Sequence, residues 1–202
     1  MSEKPINNMR LCFLDTETSG LTPDDGSLPE YRVIEISFVV TDPWPSMKIH
    51  GECHTKLRLS AEDLAKASPE ALAVNGYSEE AWADAEDSSV DFWYKVHQVT
   101  AGTILVCQNV PFDRSFVYAE MKRHALKPQW QRRCIEMMTH CERLARERNI
   151  LDPKKGELTW GLAQVYEAMG FPKLPEHSAR PDVLRMMVIY QHMQRRLDLT
   201  IE

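Results

Sequence analysis

The sequence lacks several features that mark whole classes of protein. Its 202 residues contain no apolar, uncharged run of eighteen, which excludes a membrane-spanning helix. Residues 1–10 are polar and do not hold the apolar core of a signal peptide. Internal repeats and low-complexity tracts are also missing. We therefore expect a soluble, cytoplasmic protein that does not bind a membrane.

The five cysteines include no Cys-x-x-Cys pair. An odd, scattered set suits a reducing compartment with free thiols and argues against a disulfide framework. Cys134, His140 and Cys141 could share one face of a helix, but further ligands at a recognised spacing are missing. A zinc site is therefore not favoured.

Charge is distributed unevenly along the chain, which has a formal net charge of −6. Residues 62–91 hold nine acids and one lysine, whereas residues 122–148 hold eight bases and three acids. The acidic total argues against a protein that coats nucleic acid by charge alone. For a polyanionic substrate, the basic segment is the side expected to face it, with Trp130, Arg132 and Arg133 as a candidate track. A solvated helix face or a helix junction explains the same residues.

The apolar pattern is that of an α/β protein in which strands and helices alternate. Apolar and β-branched runs predict strands at residues 11–15, 32–41, 48–59 and 103–107. Helical spacing and end signals, including Ser78 as an N-cap, predict helices at residues 79–101, 111–125, 158–169 and 183–197. The length and even composition predict a single domain over residues 1–202.

Asp15 and Glu17 stand two residues apart at the end of the first predicted strand. The period of two in a strand sends both side chains to the same face. Two converging carboxylates repel each other unless a cation or a proton lies between them, and Mg²⁺ prefers such oxygen ligands. By chance, an Asp-x-Glu triplet is expected about once in a chain this acidic, so solvated loop acids are the alternative.

Two further acids are predicted in the first turn of a helix, where exposed N–H groups stabilise an anion. Asp113 ends the run QNVPFD after the fourth predicted strand, and Asp182 follows Pro181 at the start of the last helix. His177 falls in the loop before that helix. Each residue alone is ordinary, because helix-start acids and surface loop histidines are common.

The order and context of these motifs resemble the DEDDh family of 3′→5′ exonucleases. The resemblance is carried by LDTETSGL at residues 14–21, VIEIS at 33–37, NVPFD at 109–113 and His177-x-Ala179-x-x-Asp182. VNGY at residues 74–77 is also similar to the family's segment between the third strand and the next helix. The similarity covers residues 11–190, and all five catalytic positions are filled.

The resemblance implies a ribonuclease H-like fold, with a mixed central sheet of about five strands flanked by helices. It implies a single exonuclease domain that releases 5′-mononucleotides from a nucleic acid with a free 3′ end. We expect single-stranded DNA as the substrate. An exoribonuclease of short RNA is the alternative, because nothing in the sequence reads the 2′-hydroxyl. A non-catalytic nucleic-acid-binding module and a phosphatase of small nucleotides are further alternatives.

The resemblance also implies a role for each site residue. Asp15, Glu17 and Asp182 would hold one divalent ion, and Asp15, supported by Asp113, would bind a second. The ions are expected to be Mg²⁺, with Mn²⁺ as the alternative. His177 would deprotonate the attacking water. The substrate contacts would be Thr18, Gly20, Leu21, Asn109 and Phe112, although Phe112 suits packing equally well.

Two positions depart from the family pattern. Gln108 stands where the family often has histidine, and Glu136-Met137 stands where it often has an Asp-Thr pair. Neither position belongs to the catalytic five. The departures therefore leave the expected activity in place and the subfamily open.

Overall fold

The computed structural model describes residues 9–23, 27–175 and 178–198. Within these ranges a sheet of six strands is flanked by helices, which confirms the predicted α/β fold. The strands are β1 (Leu11–Thr18), β2 (Val33–Thr41), β3 (Ile49–Arg58), β4 (Glu86–Asp87), β5 (Ile104–Cys107) and β6 (Cys134–Glu136). Their order across the sheet is β4-β3-β2-β1-β5-β6.

The sheet is mixed, as expected. β1, β2 and β3 form an antiparallel meander, whereas β5 runs parallel to β1 and β6 parallel to β5. The described residues hold one strand more than the predicted five, because β4 and β6 have only two and three residues. Elements this short carry too little periodicity to be predicted from the sequence.

The observed helices agree with the predicted ones more closely near the end of the chain than in its middle. They are α1 (Ala61–Lys66), α2 (Pro69–Val74), α3 (Val90–Thr100), α4 (Val110–Arg123), α5 (Met137–Arg148), α6 (Leu162–Ala168) and α7 (Ala179–Asp198). The predicted helix start at Ser78 is wrong, because Ser89 caps α3 and accepts a hydrogen bond from Phe92 N. The buried Trp82 explains the difference, since its Nε1 donates to Ile34 O and holds the preceding segment against the sheet.

Two apolar clusters cover the two faces of the sheet. Alternate residues of β1 enter them, with Cys12 and Leu14 on the face of α3 and α4, and Leu11 and Phe13 on the face of α5, α6 and α7. All nine residues of β2 are buried, as in a strand that is covered on both faces. Tyr190 of α7 packs edge-on against Phe13 with ring centroids 5.4 Å apart. This contact packs α7 against β1.

No helix in the described part of the chain is long and apolar enough to cross a membrane.

Candidate active site

Asp15, Glu17 and Asp182 converge at one end of β1. Each offers a carboxylate oxygen, and these oxygens all lie within 4.8 Å of one another. β1 extends to Thr18, three residues beyond its predicted end, so Asp15 and Glu17 both belong to the strand and share a face. Asp182 lies in the first turn of α7, as the sequence predicts. The packing of α7 on β1 therefore assembles three of the predicted site residues.

Asp113 approaches the same group from the first turn of α4. Its Oδ1 accepts hydrogen bonds from Thr16 N at 3.0 Å and from Thr16 Oγ1 at 2.9 Å. The residue is buried, with 3% of its surface exposed. Asp113 lies outside the close set of three ligand oxygens, yet its charge contributes to raising the pKa of Asp15. The structure thus brings together all four predicted acids, and His177 lies outside the described residues.

The acids perturb one another strongly. Burial, followed by the charges of Asp113 and Asp182, raises the pKa of Asp15 well above its ordinary value. Burial and the charge of Glu35 raise the pKa of Glu17 to about 8. Burial also raises the pKa of Asp113 to about 7, although the hydrogen bonds from Thr16 oppose this shift. A bound cation would favour the ionised form of such crowded acids.

This electrostatic crowding predicts a pH dependence of stability for the metal-free protein. Acids whose folded-state pKa exceeds the ordinary values of 3.8 and 4.5 stabilise the fold below those values. The contribution is lost as the pH rises through about 7 and about 8. We therefore expect the free energy of unfolding in EDTA to fall as the pH rises from 4.5 to about 8, measured by urea denaturation at a series of pH values.

The matched control for this experiment is Glu17→Gln, which removes one of the raised pKa values and should flatten the profile. Saturating Mn²⁺ should reduce the fall in the wild type, because a bound cation favours the ionised carboxylates. An identical pH profile for the wild type and Glu17→Gln would contradict the raised pKa of Glu17.

The donor set fits a hard divalent cation. Carboxylate oxygens are the ligands that Mg²⁺ and Mn²⁺ prefer, and three of them already lie together. No thiol or imidazole of the described residues joins this group. Cys134 is exposed on β6 and Cys141 is buried in α5, and neither belongs to a group of potential metal ligands within the described part of the chain.

Glu35 is a site residue to which the sequence analysis assigned no role. It lies opposite Glu17 in the β1–β2 pairing and is buried, with 3% of its surface exposed. Its Oε1 accepts hydrogen bonds from Ser178 Oγ at 2.8 Å and Ala179 N at 3.0 Å. Glu35 therefore holds the first residues of α7, the helix that carries Asp182. A lone acid inside the apolar run VIEIS was the sequence signal that could have revealed it.

A cavity of about 310 Å³ opens beside the acids. Four of the five predicted substrate residues line it, together with Glu17 and the exposed Val74. They are Thr18, Gly20, Leu21 and Phe112. The fifth, Asn109, is the N-cap residue of α4, and its carbonyl oxygen accepts from Phe112 N and Asp113 N. Asn109 therefore has a clear structural role.

The turn that follows β1 is held by the segment around α2. Asn75 Nδ2 donates to Thr18 O at 2.9 Å, and Ser68 N donates to Ser19 O at 2.8 Å. The sequence resemblance covered Val74 and Asn75. Only the structure shows that both residues line the cavity and that Asn75 holds the turn after β1. A contact between such distant segments has no local sequence signal.

Gly20 is required by packing. A Cβ built on this glycine would lie 2.4 Å from the ring of Tyr31, so the chain and the ring approach each other closely there. The predicted contact of Gly20 with substrate stays a prediction, and the group that approaches Gly20 in the structure is an aromatic ring of the protein.

The two departures from the family pattern have structural roles. Glu136 Oε2 accepts from Val110 N at 2.9 Å, and its Oε1 accepts from Met138 N at 3.3 Å. It therefore caps the starts of α4 and α5 together. Gln108 Nε2 donates to Trp160 O at 2.8 Å and ties the end of β5 to the loop before α6.

The suggested track at Trp130 is better explained by packing. Trp130 is partly buried against the core, and its Nε1 donates to Thr100 Oγ1 at 3.0 Å. Arg132 and Arg133 remain exposed. The helix-junction interpretation therefore accounts for the tryptophan.

A mixed sheet with helices on both faces and acids gathered at the end of β1 defines a ribonuclease H-like protein with a carboxylate site of the nuclease type. A family model described as Exonuclease matches residues 12–190, and the chain belongs to this exonuclease family. The resemblance to the DEDDh exonucleases and the predicted class of enzyme, a phosphodiester hydrolase, are thereby confirmed. No curated protein matches the chain significantly.

Solved structures with a similar fold include several of Escherichia coli exonuclease I. The complex with a dT13 oligonucleotide has a TM-score of 0.73 at 21% identity, and the match covers 94% of this chain and 42% of that one. The zinc-bound form in complex with single-stranded DNA has a TM-score of 0.74 at 20% identity, with coverage of 93% and 41%. At this identity the likeness concerns the fold. The chain spans about two fifths of the length of those exonuclease chains.

Proposed function

We propose that this domain removes nucleotides one at a time from the 3′ end of single-stranded DNA, with two divalent ions, Mg²⁺ or Mn²⁺, in its site. The observation that carries the proposal is the approach of the Asp15, Glu17 and Asp182 oxygens to within 4.8 Å beside an open cavity. A module that only bound nucleic acid would not need to gather so many repelling acids.

The roles proposed for the four acids are those that the family resemblance implies, and the close approach of three of them supports these roles. Asp15, Glu17 and Asp182 would hold one ion, and Asp15 with Asp113 would hold the other. Thr16 fixes the Asp113 carboxylate in its buried position through two hydrogen bonds. When bound, the ions would stabilise the negative charge that develops on the attacking oxygen of water and on the leaving oxygen of the phosphodiester.

The lining of the cavity favours a single unpaired nucleotide at the 3′ end as the group that binds there. Its wall is apolar where Leu21 and Val74 are exposed, by 73% and 55%, and such side chains suit the face of a base. Thr18 and Gly20 also line the cavity. His177 would accept the proton of the attacking water, as the family resemblance implies.

DNA is proposed as the substrate because the similar exonuclease I structures contain dT13 and single-stranded DNA. Short RNA is the competing substrate, since the same acids and His177 would serve cleavage of either nucleic acid.

The test uses oligonucleotides of matched sequence as single-stranded DNA, duplex DNA, RNA and dinucleotides, each labelled at the 5′ end. With Mg²⁺ or Mn²⁺ we expect a ladder that shortens from the 3′ end of single-stranded DNA, with 5′-mononucleotides as products. EDTA should stop the reaction, and a blocked 3′ end should prevent it. Faster cleavage of RNA would replace the proposed substrate, and cleavage that persists in EDTA would overturn the mechanism.

A further inference from the structure

Arg185 links the candidate metal site to the backbone that precedes α7. Its Nη1 donates to Asp182 Oδ1 at 2.5 Å. Its Nη2 donates to Leu174 O at 2.7 Å and to Pro175 O at 3.0 Å. One guanidinium group therefore connects a site acid, one helical turn away, with two carbonyl groups outside the helix.

The burial of Arg185 is unusual for a permanent charge. Only 1% of its surface is exposed, and it is among the largest fully buried side chains of the described residues. Burying a guanidinium group costs free energy, and an apolar side chain would fill the same volume at a lower cost. Packing alone therefore does not account for an arginine at this position.

The surroundings of Asp182 explain what the guanidinium group does. Its carboxylate lies close to those of Asp15 and Glu17, whose like charges repel it. The side chain of Asp182 is 25% exposed, so it could turn away toward water. The contact with Arg185 opposes that rotation. Because Nη2 is anchored on Leu174 and Pro175, the guanidinium plane is itself held in place.

We propose that Arg185 is a positioning residue that keeps the Asp182 carboxylate in the metal-ligand set before the ion binds. The inference rests on the proposed function in assuming that Asp15, Glu17 and Asp182 bind the ion. Lysine cannot replace it fully, because one ammonium group does not present the planar fork that reaches both the carboxylate and the carbonyl groups.

The charge of Arg185 could also act on the ion directly, and this effect would change the metal affinity in the opposite direction. A fixed cation beside a divalent ion also repels it, so a residue that only balanced charge would weaken metal binding. Its removal would then strengthen metal binding. A positioning residue has the opposite effect, because its loss leaves a ligand poorly oriented. The direction of the change in metal affinity thus separates the two roles.

The measurement is direct binding of Mn²⁺ to the metal-free protein by calorimetry, without substrate. We expect Arg185→Met to weaken Mn²⁺ binding by about 10–100-fold, the usual effect of losing a residue that orients a metal ligand. Arg185→Lys should lose less. In an Asp182→Asn background, Arg185→Met should cause no further loss, because the arginine acts through that carboxylate.

The matched control is Arg180→Met, which removes the same charge from the exposed side of the first turn of α7 and should leave Mn²⁺ affinity unchanged. Thermal unfolding in EDTA identifies variants that do not fold. If Arg185→Met does not fold, the Mn²⁺ affinity of Arg185→Lys is compared with that of the wild type instead. Unchanged or tighter binding in Arg185→Met, or an equal loss in the Asp182→Asn background, would overturn the inference. A wild-type protein that binds no Mn²⁺ would instead overturn the proposed function.

Discussion

Asp15→Asn is expected to abolish exonuclease activity while the protein remains folded. Asp15 belongs to the close set of ligand oxygens and is also assigned to the second ion, so its loss disturbs both. Losing several kcal/mol of transition-state stabilisation by metal ions corresponds to about a 10³-fold or greater fall in rate. The measurement is single-turnover cleavage of labelled single-stranded DNA at saturating Mg²⁺.

The same substitution should not destabilise the metal-free fold. Burial and neighbouring charges raise the pKa of Asp15, so ionising it costs more free energy in the folded protein than in the unfolded chain. A neutral amide of the same shape removes that penalty. We therefore expect the melting temperature of Asp15→Asn in EDTA to equal or exceed that of the wild type, with a smaller increase on adding Mn²⁺.

Asp84→Asn is the matched control, because it removes an exposed carboxylate from a turn far along the chain from β1. It should keep both the activity and the stabilisation by Mn²⁺. Normal turnover by a folded Asp15→Asn protein would show that the acids are not the site of the reaction.

His177→Ala is expected to lower the cleavage rate by about 10²–10⁴-fold, the contribution of a general base. Metal binding should be largely kept, since the histidine is assigned to the attacking water and the acids to the ions. At saturating Mg²⁺ the wild-type rate should rise with pH through about 6.5, the ordinary pKa of an imidazole, and the variant should lose this rise. The measurement is the pH profile of single-turnover cleavage, with Mn²⁺ affinity determined on the same samples.

His192→Ala provides the comparison, because this histidine lies on the distal half of α7, where it contacts Arg148. Its rate and pH profile should match those of the wild type. A collapse of Mn²⁺ affinity in His177→Ala, with a proportional loss of rate, would make the histidine a structural residue and refute its role as a base.

Local sequence patterns predicted the parts of the site that depend on one element. The spacing of two residues at the end of the first predicted strand placed Asp15 and Glu17 on one face, and the structure bears this out. Prolines at the helix starts placed Asp113 and Asp182 in first turns, as observed. The same reasoning failed between residues 79 and 89, where the buried Trp82 overrides an apparently helical segment.

The sequence by itself therefore determined the fold class, because strand and helix periods act over a few residues. The order of its motifs indicated the family and the acids through their resemblance to the DEDDh exonucleases. The tertiary structure alone decided that Asp182 meets Asp15 and Glu17 within 4.8 Å, since this depends on packing α7 against β1. It also assigned roles to Glu35 and Arg185, whose partners lie on other elements or outside their own helix. Such contacts follow from the order of the strands and the docking of helices, which no local period encodes.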